Sequence, residues 1–163
     1  MTQNVIARRV DGGVTFEIDT DKNRLDRAVI HDFLSRCSHW ARDIPRNVLD
    51  RAIANSTCFG LYRDGAQIGF ARVVTDEATY AYVSDVFVVA SHRNAGLGQF
   101  LVEAVLGYSP LQGLRLWQLV TRDAASLYRR CGFTDLATGR TYLHRFDPDA
   151  YVTAAAMQEA AAD

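Results

Sequence analysis

The sequence has little net charge, no long apolar run and no apolar segment at its start. A formal net charge of −1 over 163 residues offers no broad surface for nucleic acid or an anionic membrane. No stretch approaches the roughly 20 apolar residues that span a bilayer. Residues 1–10 lack the apolar core of a signal peptide. We therefore expect neither a nucleic-acid partner nor a membrane partner.

Cysteine is also scarce. Cys37, Cys58 and Cys131 are odd in number, far apart and without a Cys-x-x-Cys pair. This pattern argues against a disulfide framework and against a zinc site, and it is typical of proteins in a reducing cytoplasm. We therefore expect a cytoplasmic protein that holds no metal.

Hydrophobic periodicity predicts one α+β domain over residues 1–163, with a core at about 14–146 and an Ala-rich tail at 149–163. The tail is compatible with a helix or a frayed end. The expected fold is a central mixed, mostly antiparallel twisted sheet flanked by helices. Strands are predicted at 14–18, 58–62, 67–74, 79–89, 114–120 and 140–146. Helices are predicted at 25–37, 45–53, 98–106 and 124–130.

A glycine-containing turn, Arg93-Asn94-Ala95-Gly96-Leu97-Gly98, joins a predicted long strand to a predicted helix. Backbone N–H groups at a helix start have no acceptor within the helix and carry partial positive charge, so they bind phosphate. Gly96 and Gly98 lack the Cβ atoms that would hold a phosphate away from the backbone. Arg93 can add a charge-assisted contact. An ordinary tight turn has the same pattern, so this segment alone leaves both interpretations open.

Two other phosphate-binding loops fit this turn poorly. A P-loop ends in Gly-Lys followed by Ser or Thr, whereas Gln99 and Phe100 follow Gly98. The dinucleotide-binding fingerprint needs a small residue where Leu101 stands, so that the helix packs closely on its strand. The chain beyond Gly98 is also too short for several further βαβ units. The sequence therefore argues against both classes.

Three segments, whose order along the chain matches that of the family's motifs, make the sequence similar to the GNAT superfamily of N-acetyltransferases. Residues 93–98 match the superfamily's [Gln/Arg]-x-x-Gly-x-[Gly/Ala] acetyl-CoA motif at every fixed position. Asp85-Val86-Phe87-Val88 resembles its acidic-apolar-x-Val strand pattern, and residues 127–133 resemble its Leu-Tyr-x-x-x-Gly-Phe signature. The resemblance covers about residues 14–146. It implies a GNAT-like fold and acetyl-CoA as co-substrate, with no metal.

The resemblance also implies which residues hold the cofactor. The diphosphate would lie against the 93–98 turn, and strand residues would offer backbone groups to the pantetheine arm. One N–H would polarise the thioester carbonyl, as an oxyanion donor does. Asp123 departs from the family pattern, because many members have asparagine there. The expected cofactor-binding residues are Phe87, Val88, Val89, Arg93, Asn94, Ala95, Gly96, Leu97, Gly98, Gln99 and Asp123.

Transfer of an acetyl group to an amine benefits from a general base, because an alkyl ammonium has a pKa of about 10.4 and is mostly charged at neutral pH. Asp85 is the candidate base. Strand alternation predicts that it shares a face with Val83, Phe87 and Val89, where apolar neighbours would favour proton uptake by a carboxylate. A structural pairing with an arginine such as Arg72 is the alternative.

Tyr128 is the candidate acid for the departing thiolate, and the resemblance places it near the cofactor sulfur. Core packing is its alternative role. Trp40 is a candidate acceptor-binding residue, because the region between the first two helices lines the acceptor site in the resembling family. Tyr82, in the predicted strand at 79–89, is a second candidate. No Ser-His-Asp or Cys-His arrangement stands out, so we expect direct transfer through a ternary complex without a covalent enzyme intermediate.

The predicted function is transfer of an acetyl group from acetyl-CoA to a primary amine of a small molecule, amino acid or peptide, by a monomer or homodimer. The alternative is a non-catalytic acyl-CoA-binding sensor or regulatory module of the same fold. Asp85 and Tyr128 favour catalysis, since a pure binder needs neither. An oxygen acceptor or a longer acyl donor is a third alternative.

Overall fold

The computed structural model describes residues 4–136, 139 and 141–160. Within these residues, six strands form one sheet in the order β1-β2-β3-β4-β5-β6. Neighbours from β1 to β5 are antiparallel, and β6 is parallel to β5. This arrangement confirms the predicted mixed, mostly antiparallel sheet. The strands are β1 (Val5–Asp11), β2 (Val14–Asp19), β3 (Thr57–Arg63), β4 (Ala66–Thr75), β5 (Tyr80–Val88) and β6 (Leu116–Gln118).

Helices cover both faces of the sheet, because consecutive strand residues point to opposite sides and both sets are apolar. One apolar cluster, the α3 core, joins Phe59 and Ala71 of the sheet to Leu101 of α3. The second, the α1–α2 core, joins Phe70 and Phe87 to the first two helices. The helices are α1 (Arg27–Asp32), continued by a π-helical turn at Phe33–Cys37, then α2 (Arg46–Ala54), α3 (Leu97–Leu106), α4 (Ala125–Arg130) and α5 (Ala150–Ala160).

Local signals in the sequence account for several element boundaries. Asp64 and Gly65 have φ values of 47° and 88°, as expected for the tight turn that an Asp-Gly pair forms between β3 and β4. Pro45 immediately precedes the first helical residue of α2, where its missing N–H costs no helical hydrogen bond. Gly96 precedes α3 with a φ of 69°. These predicted elements are confirmed.

Three expectations are corrected. Strand β1 was not expected, and it forms a hairpin with β2 across Gly12 and Gly13. The strand predicted at 114–120 is shorter and spans only Leu116–Gln118. The strand predicted at 140–146 is wrong for residues 141–146, which form no strand and leave Phe146 largely exposed; Arg140 lies outside the described residues. A strand needs a hydrogen-bonded neighbour, which alternation alone does not supply.

The Ala-rich tail forms helix α5 over residues 150–160, and its last three residues lie outside the described part. Tyr151 of this helix packs against the α1–α2 core. Across residues 4–136, 139 and 141–160, no helix combines the length and the apolar character that crossing a membrane requires.

Candidate active site

The site is a cleft of about 1030 Å³ that opens beside β5. Strands β5 and β6 are parallel but pair only over Tyr80–Tyr82 and Leu116–Gln118. Beyond that point, residues 83–88 of β5 lie on one side of the cleft and residues 120–124 line it as well. The end of the short pairing between β5 and β6 therefore marks where the cleft begins.

The 93–98 loop forms one end of the cleft and leads into α3. Asn94 and Gly96 have φ values of 63° and 69°, so the backbone turns sharply before the helix. No side chain caps the start of α3. The first helical hydrogen bond from this turn is donated by the N–H of Phe100 to the carbonyl of Gly96. The preceding amides of Leu97, Gly98 and Gln99 therefore have no acceptor within the helix.

Gly98 is the second residue of α3, next to this helix start. A Cβ built on Gly98 would lie 3.6 Å from Cδ2 of Leu127, which is an ordinary van der Waals distance. Glycine inside a helix is less stable than alanine by about 0.5–1 kcal/mol. Packing within the protein therefore does not require glycine at this position, whereas a ligand approaching the backbone would benefit from it.

A one-residue bulge in β5 sets the orientation of Asp85, which has a φ of 53°. Ala81 and Val88 both pack in the α3 core, although they are an odd number of residues apart. A regular strand would point them to opposite faces, so the bulge reverses the alternation. The prediction that Asp85 shares a face with Val83 is therefore wrong; Asp85 lies on the face of Phe87.

The Asp85 carboxylate is 7% exposed and accepts two side-chain hydrogen bonds. Arg72 Nε donates to Oδ2 at 2.7 Å, and Trp40 Nε1 donates to Oδ1 at 3.1 Å. Arg72 also donates to the hydroxyls of Ser56 and Ser84, at 3.0 Å and 3.3 Å. Asp85 thus has a charge-paired setting in place of the expected apolar one, because the bulge directs it towards Arg72.

Tyr128 lies on α4 at the cleft wall and is 9% exposed. Its ring packs edge-on against Phe133, with centroids 5.8 Å apart. Burial raises the pKa of Tyr128 to about 12, because a phenolate would be poorly solvated there. The hydroxyl therefore keeps its proton throughout the physiological pH range.

Trp40 and Tyr82, the predicted acceptor-binding residues, line the same cleft. Trp40 is 44% exposed, and His39 packs edge-on against it with centroids 5.1 Å apart. Phe33 also lines the cleft and stacks on Phe87 with centroids 3.9 Å apart. The aromatic wall of the cleft is thus built from the π-helical turn that follows α1, the loop after it, and β5.

Most of the expected cofactor-binding residues line the cleft, and two do not. The N–H of Val89 donates to the Ile68 carbonyl at 2.9 Å, and its own carbonyl accepts from the N–H of His92. Ala95 directs its carbonyl to Arg9. The residues that do line the cleft are Phe87, Val88, Arg93, Asn94, Gly96, Leu97, Gly98, Gln99 and Asp123.

Phe33 and Arg130 are among the cleft residues that the sequence did not predict as site residues. Arg130 lies within the 127–133 signature, so its motif position was an available signal. Phe33 had no local signal, because a helical phenylalanine is typical of any core. Among the described residues, no group of three or more His, Cys, Asp or Glu is placed to hold a metal ion.

Comparison with known proteins identifies the class of this fold and cleft. The family model for the acetyltransferase (GNAT) domain matches residues 54–135. A crystal structure from Xanthomonas campestris pv. campestris, described as an acetyltransferase of the GNAT family, is 44% identical with a TM-score of 0.79. The alignment covers 83% of this chain and 96% of that one. The chain therefore belongs to the GNAT family of acetyltransferases, which confirms the resemblance.

More distant similarities agree with this class. A Gibberella zeae protein named as an acetyltransferase is 31% identical over 110 residues, which span 55% of this chain and 61% of the relative's length. The aminoglycoside N-acetyltransferase AAC(6')-Iy, solved in complex with CoA, is 18% identical with a TM-score of 0.58. That alignment covers 85% of this chain and 100% of the other. This last likeness shows the fold alone.

Proposed function

We propose that the chain transfers an acetyl group from acetyl-CoA to a primary amine of a small molecule, amino acid or peptide, by direct transfer in a ternary complex. The observation that most supports this proposal is the uncapped start of α3, which opens onto a cleft of about 1030 Å³. Asp85 and Tyr128 lie on the walls of the same cleft.

The helix start fits the diphosphate of coenzyme A. Amides at a helix N-terminus donate to phosphate oxygens, and the helix dipole favours negative charge there. The missing side chain of Gly98 leaves room for the phosphate next to the backbone. Arg93, whose Nε donates to the Val88 carbonyl at 3.1 Å, is held at the same wall and adds positive charge. This anion site is local, as the overall net charge of −1 requires.

Asp85 is the proposed base that takes a proton from the acceptor ammonium, directly or through water. A carboxylate has about four lone-pair positions, and Arg72 and Trp40 occupy two of them. The remaining positions can accept a proton from the amine side of the cleft. A purely structural role, in which Asp85 orients Trp40 and neutralises Arg72, follows from the same contacts, and the test of Asp85 in the Discussion separates the two roles.

Tyr128 is the proposed acid. The amine nitrogen bonds to the thioester carbonyl carbon and releases its second proton to solvent, and the carbon–sulfur bond breaks with its electron pair on sulfur. The Tyr128 hydroxyl donates a hydrogen bond to this sulfur as negative charge develops, and the sulfur then receives a proton that solvent supplies. The raised pKa keeps this hydrogen in place before the reaction. The products are an amide and the free thiol, so protons and electron pairs balance.

The experiment that tests the proposal measures CoA binding by calorimetry and acceptor-dependent thiol release with a panel of amines. Gly98→Val places a branched side chain where the diphosphate would lie. Loss of two charge-assisted hydrogen bonds, each about 1.5 kcal/mol, predicts a rise in Kd of about a hundredfold. Gly107→Val makes the same change at the other end of α3 and is the matched control, with an expected wild-type Kd.

Wild-type protein that binds CoA and releases thiol only when an amine is present supports the proposal. Binding without amine-dependent release would favour the sensor alternative. Absence of CoA binding by correctly folded protein would refute both.

A further inference from the structure

Arg9 lies directly behind the 93–98 loop, on the side away from the cleft. It belongs to β1 and is paired in register with Phe16 of β2. Its guanidinium carbon lies 5.2 Å from the Phe16 ring centroid and 5.6 Å from that of Phe100 in α3. The side chain therefore bridges the first hairpin and the start of α3, two parts of the chain separated by more than eighty residues.

The contact between Arg9 and the loop is specific. Arg9 Nη2 donates to the carbonyl oxygen of Ala95 at 3.0 Å. A Cβ built on Gly96 would lie 3.7 Å from Arg9 Nη1, so the guanidinium lies next to the residue that precedes α3. Arg9 does not line the cleft, whereas Gly96 does. Arg9 thus contacts the loop from behind.

This contact fixes the direction of an amide on the cleft side. In a trans peptide the carbonyl and the following N–H point in opposite directions, and the described chain has no cis peptide bond. Because the Ala95 carbonyl points to Arg9, the N–H of Gly96 points away from Arg9, towards the cleft. Holding the carbonyl also keeps a partial negative charge away from any bound phosphate.

The charge of Arg9 is not neutralised by the protein in the part of the chain that the structure describes. Its neighbour Arg8 pairs with Glu17, with Nε 3.0 Å from Oε1. Arg9 has no carboxylate partner there, and its buried Nε has no hydrogen-bond partner among the described residues. The unsatisfied Nε is destabilising, whereas the contacts with the two phenylalanine rings and with the Ala95 carbonyl are stabilising. A bound anion in front of the loop would supply the missing countercharge.

We infer that Arg9 is a positioning residue for the diphosphate: it holds the Ala95 carbonyl, aims the Gly96 N–H into the cleft and places a positive charge behind the loop. This inference depends on the proposed function. Arg9 contacts the loop from behind and acts on the donor, acetyl-CoA, only through that loop. We therefore expect its effect on the affinity for the donor.

The test measures the Kd of CoA by calorimetry for wild type, Arg9→Met and Arg8→Met. Arg9→Met should raise Kd by roughly tenfold, because one charge and one oriented donor are weakened. Arg8→Met removes the same charge from the neighbouring residue and should leave Kd within about twofold, as expected for an exposed ion pair. Arg9→Lys, which keeps the charge and a donor, should recover part of the loss.

A second readout separates positioning from general damage to the fold. S-acetylpantetheine lacks the diphosphate, so kcat/KM for this donor should be equal in wild type and Arg9→Met while kcat/KM for acetyl-CoA falls. An equal decrease in kcat/KM for acetyl-CoA and for S-acetylpantetheine would contradict the inference. Should Arg9→Met fail to fold, Arg9→Gln takes its place, and a wild-type Kd in that variant would overturn the inference.

The outcomes distinguish this inference from the proposed function. Wild type that fails to bind CoA refutes the proposed function and removes the inference with it. Wild type that binds CoA, with Arg9→Met binding equally well, refutes the role of Arg9 alone. Equal weakening in Arg8→Met and Arg9→Met would show a general charge effect and refute positioning.

Discussion

Replacing Tyr128 with phenylalanine removes one hydroxyl from the cleft wall and leaves the aromatic ring in place. The edge-on contact with Phe133, at 5.8 Å between centroids, does not involve the hydroxyl. The Arg93–Gly98 loop and α3 are likewise unchanged by this substitution. We therefore expect the variant to fold and to bind CoA with the wild-type Kd, while kcat decreases.

The size of the decrease follows from the pKa values. The pKa of Tyr128 is raised to about 12, whereas a thiol has a pKa of about 8.5. Each pKa unit corresponds to about 1.4 kcal/mol, so complete transfer of the Tyr128 proton to the thiolate would be unfavourable by about 5 kcal/mol. The hydroxyl acts mainly through its hydrogen bond to the developing thiolate, and a bond to a charged group contributes about 1.5–3 kcal/mol. This range corresponds to a decrease in kcat of about 10- to 150-fold.

The assay is thiol release under saturating donor and amine, from pH 6 to pH 10. A tyrosine of ordinary pKa, about 10, would be half ionised at pH 10, whereas Tyr128 should remain about 99% protonated. Wild-type kcat should therefore show no decline due to tyrosine ionisation in this range. Tyr108→Phe makes the same change outside the cleft and is the control. Wild-type kcat in Tyr128→Phe would refute the acid role.

Three other substitutions test different parts of the account. Asp85→Asn should lower kcat by about 10²-fold if the carboxylate is the base; full kcat with an unchanged pH profile would leave Asp85 a structural role only. Trp40→Phe removes the donor to Asp85 at 3.1 Å and should raise the KM for the amine several-fold with an unchanged Kd for CoA; an unchanged KM would place the acceptor elsewhere. Gly69→Ala puts a Cβ 2.8 Å from the Phe87 carbonyl oxygen and should lower the free energy of unfolding by about 1–3 kcal/mol in urea titrations. A urea midpoint equal to that of wild type would contradict the close packing of β4 at Gly69.

The sequence was most informative where the determining interactions are local. The Asp64-Gly65 pair specifies a tight turn by itself, and the glycines of the 93–98 loop specify the transition from strand to helix. Alternation over β3 to β5 predicted three neighbouring strands, because each is long and apolar. Strand β5 and the 93–98 loop line the cleft, so the position of this loop between β5 and α3 was predicted correctly.

The bulge at Asp85 could not be predicted from alternation. Its extra residue is defined by the register between β4 and β5, which is a property of two strands and not of one. A single strand pattern therefore grouped Asp85 with Val83 as well as with Phe87, and the pairing with Arg72 could be proposed only as an alternative.

Contacts between distant parts of the chain also explain why β1 and the role of Arg9 were missed and why the predicted strand is wrong at residues 141–146. The adjacent Arg8 and Arg9 interrupt the apolar pattern of β1, yet Arg8 pairs across the hairpin with Glu17. The role of Arg9 depends on Ala95, a residue distant in sequence. Residues 141–146 include Thr, Tyr and Phe, which favour strands, but residue type does not show whether a partner strand is present.

Perturbation of backbone amide resonances by CoA tests the central claim most directly. In a titration of isotope-labelled protein, the largest 1H–15N shifts should occur at Gly96, Leu97, Gly98 and Gln99, because their N–H groups would contact the diphosphate. The largest shifts at another site, such as the polar groove of about 580 Å³ lined by Lys22 and Asn55, with these four amides unchanged, would contradict the claim.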